Sequence, residues 1–176
     1  MRVIAGEHGG RRLVAPRGGR TRPTADRVRE ALFSTLGDLE GLRVLDLFAG
    51  SGALGIEALS RGAADAVFVD SAPAAVRAVR DNLEALGLEA EVHRADARAF
   101  LRAARKRGRE YDLVLIDPPY RHASALAKDL SAALPPVLAA GARVAAESDR
   151  RAPLDLGLPP VDERRYGDTL IRIHGS

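Results

Sequence analysis

Three features of the 176-residue chain predict an α/β fold built on a doubly wound, mostly parallel sheet. From residue 43 onward, short apolar runs alternate with helical stripes, the rhythm that buries a parallel sheet between helices. Leu113, Val114, Leu115 and Ile116 form a continuous apolar run, as a strand covered on both faces requires. Gly167-Asp168 separates two strand-like runs and marks a C-terminal antiparallel hairpin. Seven strands are expected in this sheet, preceded by a short N-terminal β-hairpin extension.

In chain order, residues 2–5 and 11–15 form the two arms of that extension, with a Gly-Gly pair in the turn. Residues 16–23 are rich in Pro, Gly and Arg and read as an exposed loop. Thr24 reads as the N-cap of a helix whose stripe is Val28, Ala31, Leu32 and Leu36, stopped by Gly37. Strands follow at residues 43–47, 66–69, 91–94, 112–116 and 142–147. The helices between them, at 53–60, 73–86, 97–107 and 123–134, are closed by Gly62, Gly87, Gly108 and Pro135-Pro136. Pro73 suits the first turn of its helix, where no N–H is needed. Strands at 161–166 and 169–174 make the final hairpin.

The length suits one domain with a real core. A hydrophobic content of 46% argues for a globular protein. No apolar run approaches the roughly 20 residues that span a bilayer. The Arg- and Gly-rich start lacks the apolar core of a signal peptide, so a cytoplasmic location is expected. The absence of cysteine excludes disulfides, thiolate nucleophiles and cysteine metal sites. His8, His93, His122 and His174 are scattered without ligand spacing, so no metal is expected. The net charge of +3 is unevenly placed. Residues 1–30 carry eight arginines against Glu7, Asp26 and Glu30, a local +5, whereas the other 146 residues sum to −2. Such a patch beside a balanced domain points to a polyanion, nucleic acid first; the alternative is a solvated tail. The division expected is a basic, RNA-binding extension at residues 1–23 and one domain at residues 24–176.

Gly50-Ser51-Gly52-Ala53-Leu54-Gly55 fits Gly-x-Gly-x-x-Gly between a strand and a helix. Glycines there let the backbone approach a ligand, and the helix start offers N–H groups. Asp70, 20 residues after Gly50, ends the next strand, where a carboxylate can accept both hydroxyls of a ribose. Asp46 at the mouth of the first strand disfavours a pyrophosphate and favours a cation. Together these residues favour S-adenosylmethionine over NAD. A cap or loop hydrogen bond is the plainer reading of Asp46. Asp96 could accept from an adenine amine or simply cap the 97–107 helix. Ser51 does not sit in a nucleophile elbow, which argues against a hydrolase.

Residues 112–120 end in Asp117-Pro118-Pro119-Tyr120. The prolines cannot continue a ladder, so the chain stops at the edge where open α/β sheets bind ligands. The Asp117 carboxylate and the Pro118 carbonyl can accept both N–H groups of an exocyclic base amine, aiming its lone pair at a methyl donor. Tyr120 can stack on an unpaired or flipped base. A simple strand-ending turn explains the prolines but neither Asp117 nor Tyr120.

The segments 46–52 and 117–120 resemble class I S-adenosylmethionine-dependent methyltransferases acting on base amines. Residues 22–30 (Arg-Pro-Thr-Ala-Asp-Arg-Val-Arg-Glu), with residues 2–6 and 10–13, resemble the bacterial small-subunit ribosomal RNA guanine-N2 methyltransferases, the RsmD family. The resemblance covers essentially the whole chain and is weakest at residues 150–165. It implies a Rossmann-like fold and one methyl transferred to N2 of a guanine in 16S ribosomal RNA or an assembling small subunit. It implies that Asp46, Phe48, Ala49, Gly50, Ser51 and Gly52 hold the methionine part of the cofactor. Asp70 and Ser71 then serve the ribose, Asp96 and Ala97 the adenine, and Asp117, Pro118 and Tyr120 the target base. Arg11, Arg12, Arg20, Arg22, Thr24 and Arg27 are the expected RNA contacts, and a monomer is expected. Competing readings are adenine-N6 methylation of DNA, protein glutamine methylation, a non-catalytic RNA-binding assembly factor and a nicotinamide oxidoreductase.

Overall fold

The computed structural model describes residues 1–16, 26–118 and 123–175, with side chains in the last stretch from residue 126. Helix α1 (Asp26–Leu36) leads into strand β1 (Arg43–Leu47). The alternation continues through α2 (Ala53–Ser60), β2 (Asp65–Asp70), α3 (Pro73–Leu86), β3 (Glu91–Arg94), α4 (Ala97–Lys106), β4 (Tyr111–Ile116) and α5 (Ala123–Ala133). A 3₁₀ turn at Pro135–Val137 precedes β5 (Leu138–Asp149), β6 (Pro160–Tyr166) and β7 (Thr169–Gly175). The strands form one sheet in the order β3-β2-β1-β4-β5-β7-β6. β1 to β5 pair in parallel, and β7 is antiparallel to both of its neighbours. The order reverses between β1 and β4, the crevice where doubly wound sheets bind ligands.

Side chains along each central strand alternate between two cores, as a pleat dictates. Leu113 and Leu115 join the core under α1, α2 and α3, with Phe33, Ile56 and Val79. Val114 and Ile116 join the core under α4 and α5, with Phe100, Leu101 and Leu130. Leu154 and Leu156, in the connection from β5 to β6, are buried in this second core and anchor that stretch.

Two elements differ from expectation. β5 begins four residues earlier than predicted, because a register shift between Tyr111 and Leu113 carries the strand through Gly141 at φ +73°. The N-terminal extension is a hairpin with one bridge, Arg2 to Arg12, not two continuous strands. Its ladder stops because other partners take its N–H groups. Ile4 and Ala5 donate to the Glu57 carboxylate on α2, at 2.6 and 3.1 Å, and His8 donates to Ser60 Oγ at 2.9 Å. Val3 and Leu13 bury their side chains in the first core. At Gly6 the chain passes so close to α2 that a Cβ would lie 1.7 Å from the Ser60 carbonyl oxygen. Among the described residues, no helix is long and apolar enough to cross a membrane.

Candidate active site

The site is assembled at the carboxyl edge of β1, β2 and β4. After β1 the chain turns sharply at Phe48, whose φ of 132° is rare outside glycine and stores about 1–3 kcal/mol of strain. The Val69 carbonyl holds the turn by accepting from both Phe48 and Ala49, at 3.1 and 3.0 Å. Gly50 at φ 56° and Gly52 at φ 80° complete the loop, and Gly52 starts α2 without a side-chain cap. The N–H groups of Ala53 and Leu54 in the first turn therefore take no side-chain cap. A Cβ on Gly50 would meet nothing closer than the Phe48 oxygen at 4.0 Å, so the loop leaves open space against its backbone. This cradle fits the adenosyl cofactor that the sequence implies.

Asp70 at the end of β2 locks the loop. One oxygen accepts from Gly50 N–H at 2.9 Å and the other from Ala72 N–H at 2.8 Å. A carboxylate has about four lone-pair sites, so acceptor capacity remains for a ribose. Asp96 caps α4 through the N–H groups of Arg98 and Ala99, and pairs with the Arg98 guanidinium. Burial works against its ionisation, but these donors outweigh it and hold the carboxyl below its ordinary range. The plainer reading of Asp96 is thus realised, and the side chain stays exposed at the site edge. Ala97 is buried at the first position of α4, and Ser71 is exposed after Asp70.

Asp46 lies beneath the loop rather than at its mouth. It is 1% exposed and accepts from Gly55 N–H in α2 at 2.9 Å. Burial pushes its carboxyl up to about 7; the Gly55 N–H works the other way and the Asp70 charge adds to the rise. The folded chain therefore keeps a proton that the unfolded chain releases near 3.8. The stability from this group is full below that value and is lost as pH rises to about 7. Asp46→Asn, which cannot ionise, is expected to remove this loss. The melting temperature of the natural chain relative to the variant should fall across that window and level off above it; parallel profiles would refute the buried proton.

Ser51 turns away from the cradle. Its Oγ faces Met1 Sδ at 3.3 Å, and its carbonyl accepts from Asn82 Nδ2 at 2.8 Å. Asn82 on α3 also accepts from Val14 N–H at 2.8 Å and donates to the Val14 carbonyl at 3.0 Å. One buried amide thus joins the N-terminal arm to the glycine loop. Sequence reasoning missed Asn82 and Glu57. The available signal was a polar group on a buried helix stripe: Asn82 shares one with Val79, Leu83 and Leu86.

Asp117 directly follows β4, two residues past the Asp46–Leu115 pair, and is half-buried; Pro118 is buried. Tyr120, Arg20, Arg22 and Thr24 lie outside the described residues. Of the other expected RNA contacts, Arg12 and Arg27 are exposed. Arg11 reaches α3, donating to the Ala85 carbonyl at 2.8 Å. Arg29, counted in the N-terminal charge excess, is buried against the Arg2 carbonyl and Asp26 and is withdrawn from any polyanion. Among the described residues no acidic or histidine cluster could hold a metal.

The family model described as conserved hypothetical protein 95 matches residues 1–175. The chain is 49% identical over 124 residues to YlbH of Bacillus subtilis, named provisionally an rRNA methyltransferase. It is 42% identical over 123 residues to ribosomal RNA small subunit methyltransferase D of Escherichia coli K12. Each alignment covers 69% of this chain, and they span 67% and 61% of the two relatives. A solved protein of Thermus thermophilus superposes with a TM-score of 0.87 at 32% identity, covering 100% of this chain and 99% of that one. With the seven-stranded sheet, the glycine cradle and a match over nearly its whole length, the chain belongs to the conserved hypothetical protein 95 family, which is the RsmD family of the sequence resemblance.

Proposed function

We propose that this chain transfers a methyl group from S-adenosylmethionine to the exocyclic N2 of a guanine in 16S ribosomal RNA. The observation that carries this reading is the position of Asp117, at the end of β4 and beside the glycine cradle at the end of β1. The Escherichia coli relative, a small-subunit rRNA methyltransferase by name, supports the RNA substrate. The cradle of residues 48–52, with Asp70 and Asp96, would hold the cofactor. When bound, S-adenosylmethionine supplies a sulfonium methyl for in-line transfer.

The chain's own residues prepare the nucleophile. A base amine is weakly nucleophilic because its lone pair is delocalised into the ring. The Asp117 carboxylate and the Pro118 carbonyl accept its two N–H groups, turn the lone pair outward and stabilise positive charge growing on nitrogen. Asp117 acts as an acceptor rather than a strong base, since the amine becomes acidic only once its new N–C bond forms. Tyr120 provides the stacking face. The exposed arginines of the N-terminal segment, Arg12 and Arg27 among them, take phosphates and so position the RNA without reading its sequence. The working unit is a monomer in the cytoplasm, acting on the small subunit or its precursor.

Tritiated S-adenosylmethionine, incubated with the chain and small subunits lacking the modification, should label one guanine, located by mass spectrometry as N2-methylguanine. The same assay on naked RNA tells whether ribosomal proteins are required. Label on adenine in DNA, on protein, or nowhere would overturn the reading.

A further inference from the structure

A groove of about 240 Å³ runs between α4 and α5, on the face of the sheet opposite the N-terminal arm. Its α4 wall carries Arg98, Arg102 and Arg105, spaced i, i+4 and i+7 and therefore on one helix face. Leu101 and Pro136 contribute to an apolar floor, and Asp129 of α5 is the acidic lining residue. Arg98 is already neutralised, bonding Asp96 at 3.2 Å and Asp129 at 2.9 Å. This leaves Arg102 and Arg105 exposed, with no ion pair among the described residues. Lys106 and Arg107 extend the positive charge at the helix end.

The fold opens this groove at the site edge, by Arg98, and runs it away from that edge toward Arg105. α4 follows β3 and α5 follows β4, so both helices start at the sheet edge that holds Asp96 and Asp117. From Arg98 to Arg105 the helix rises about 10 Å. The two unpaired arginines, three residues apart, are separated by about 4.5 Å along the axis, within reach of two successive phosphates of one strand. We propose that the α4–α5 groove binds the sugar-phosphate backbone of the substrate RNA where it leads away from the target guanine, through Arg102 and Arg105. This rests on the RNA-methylation reading above. The arm on one face and the groove on the other then grip the RNA on both sides of the edge where the base enters.

The test is Arg102→Gln/Arg105→Gln, two exposed positions outside the catalytic and cofactor residues. The double variant should raise KM for small subunits about tenfold and flatten the log affinity against log salt slope by about 1.4, at roughly 0.7 per lost single-strand phosphate contact. Its kcat, S-adenosylmethionine affinity and melting temperature should match the natural chain. Arg164→Gln/Arg165→Gln on β6 removes the same formal charge elsewhere. Unchanged KM and salt slope in the first variant, or an equal rise in the second, would overturn the groove. Normal affinity for naked 16S RNA with lost affinity for subunits would place a ribosomal protein there and overturn the RNA assignment. If the natural chain labels no small-subunit RNA, the underlying reading fails and this inference with it; if it does and the variant is unaffected, only this inference fails.

Discussion

Asp117→Ala is expected to lower kcat for methyl transfer by about 10²- to 10³-fold, the usual loss when one preorganised partner of a developing charge is removed. S-adenosylmethionine affinity should be kept, because the cradle is built on β1, β2 and α2 and closes through Asp70 without Asp117. Asp117→Asn keeps one carbonyl acceptor but no negative charge, so it should fall between alanine and the natural residue. Equilibrium binding of the cofactor and single-turnover transfer to small subunits separate the two effects. Full transfer by the alanine variant would remove Asp117 from the proposed mechanism.

Glu57→Ala should have the largest effect on stability. Glu57 is fully buried and accepts from Ile4 N–H, Ala5 N–H and Arg61 Nε. Deleting the carboxylate leaves two backbone donors and a largely buried guanidinium without their acceptor. Breaking a buried charged network of this kind costs about 3–5 kcal/mol. At this chain length that is a fall in melting temperature of about 6–20 °C. Glutamine is a poor rescue, since its amide would point a donor at donors. Amide exchange at Ile4 and Ala5 should accelerate more than exchange in β1 or β4, because the arm loses its anchor first. Uniform acceleration would mean that arm and sheet unfold as one unit.

The strands and helices of the domain were legible because each carries a local signal. Examples are the unbroken apolar run before Asp117, the glycines that end α1 and α3, and Pro73 at the start of α3. The edge position of Asp70 and Asp117 followed from strand order. What was not legible depends on long-range partners. That Asp46 would sink beneath the loop depends on Gly55 and the packing around both. That the arm would dock instead of forming a free hairpin depends on Glu57 and Asn82, which meet it across 52 to 68 positions of sequence. No periodicity records such a pairing. The strained turn at Phe48 was equally hidden, because Phe carries no backbone preference for positive φ.

The arm's dependence on Asn82 also sets an order of events during synthesis. Residues 1–14 leave the ribosome ahead of their buried partners on α2 and α3, which emerge dozens of residues later. The arm cannot finish docking until α3 has been made, and only then can Asn82 bring Val14 and Ser51 together. A segment translated ahead of its partners is thus among the last to settle. A nascent chain stopped before residue 82 exposes Val3 and Leu13, a window in which a chaperone has a defined sequence to hold.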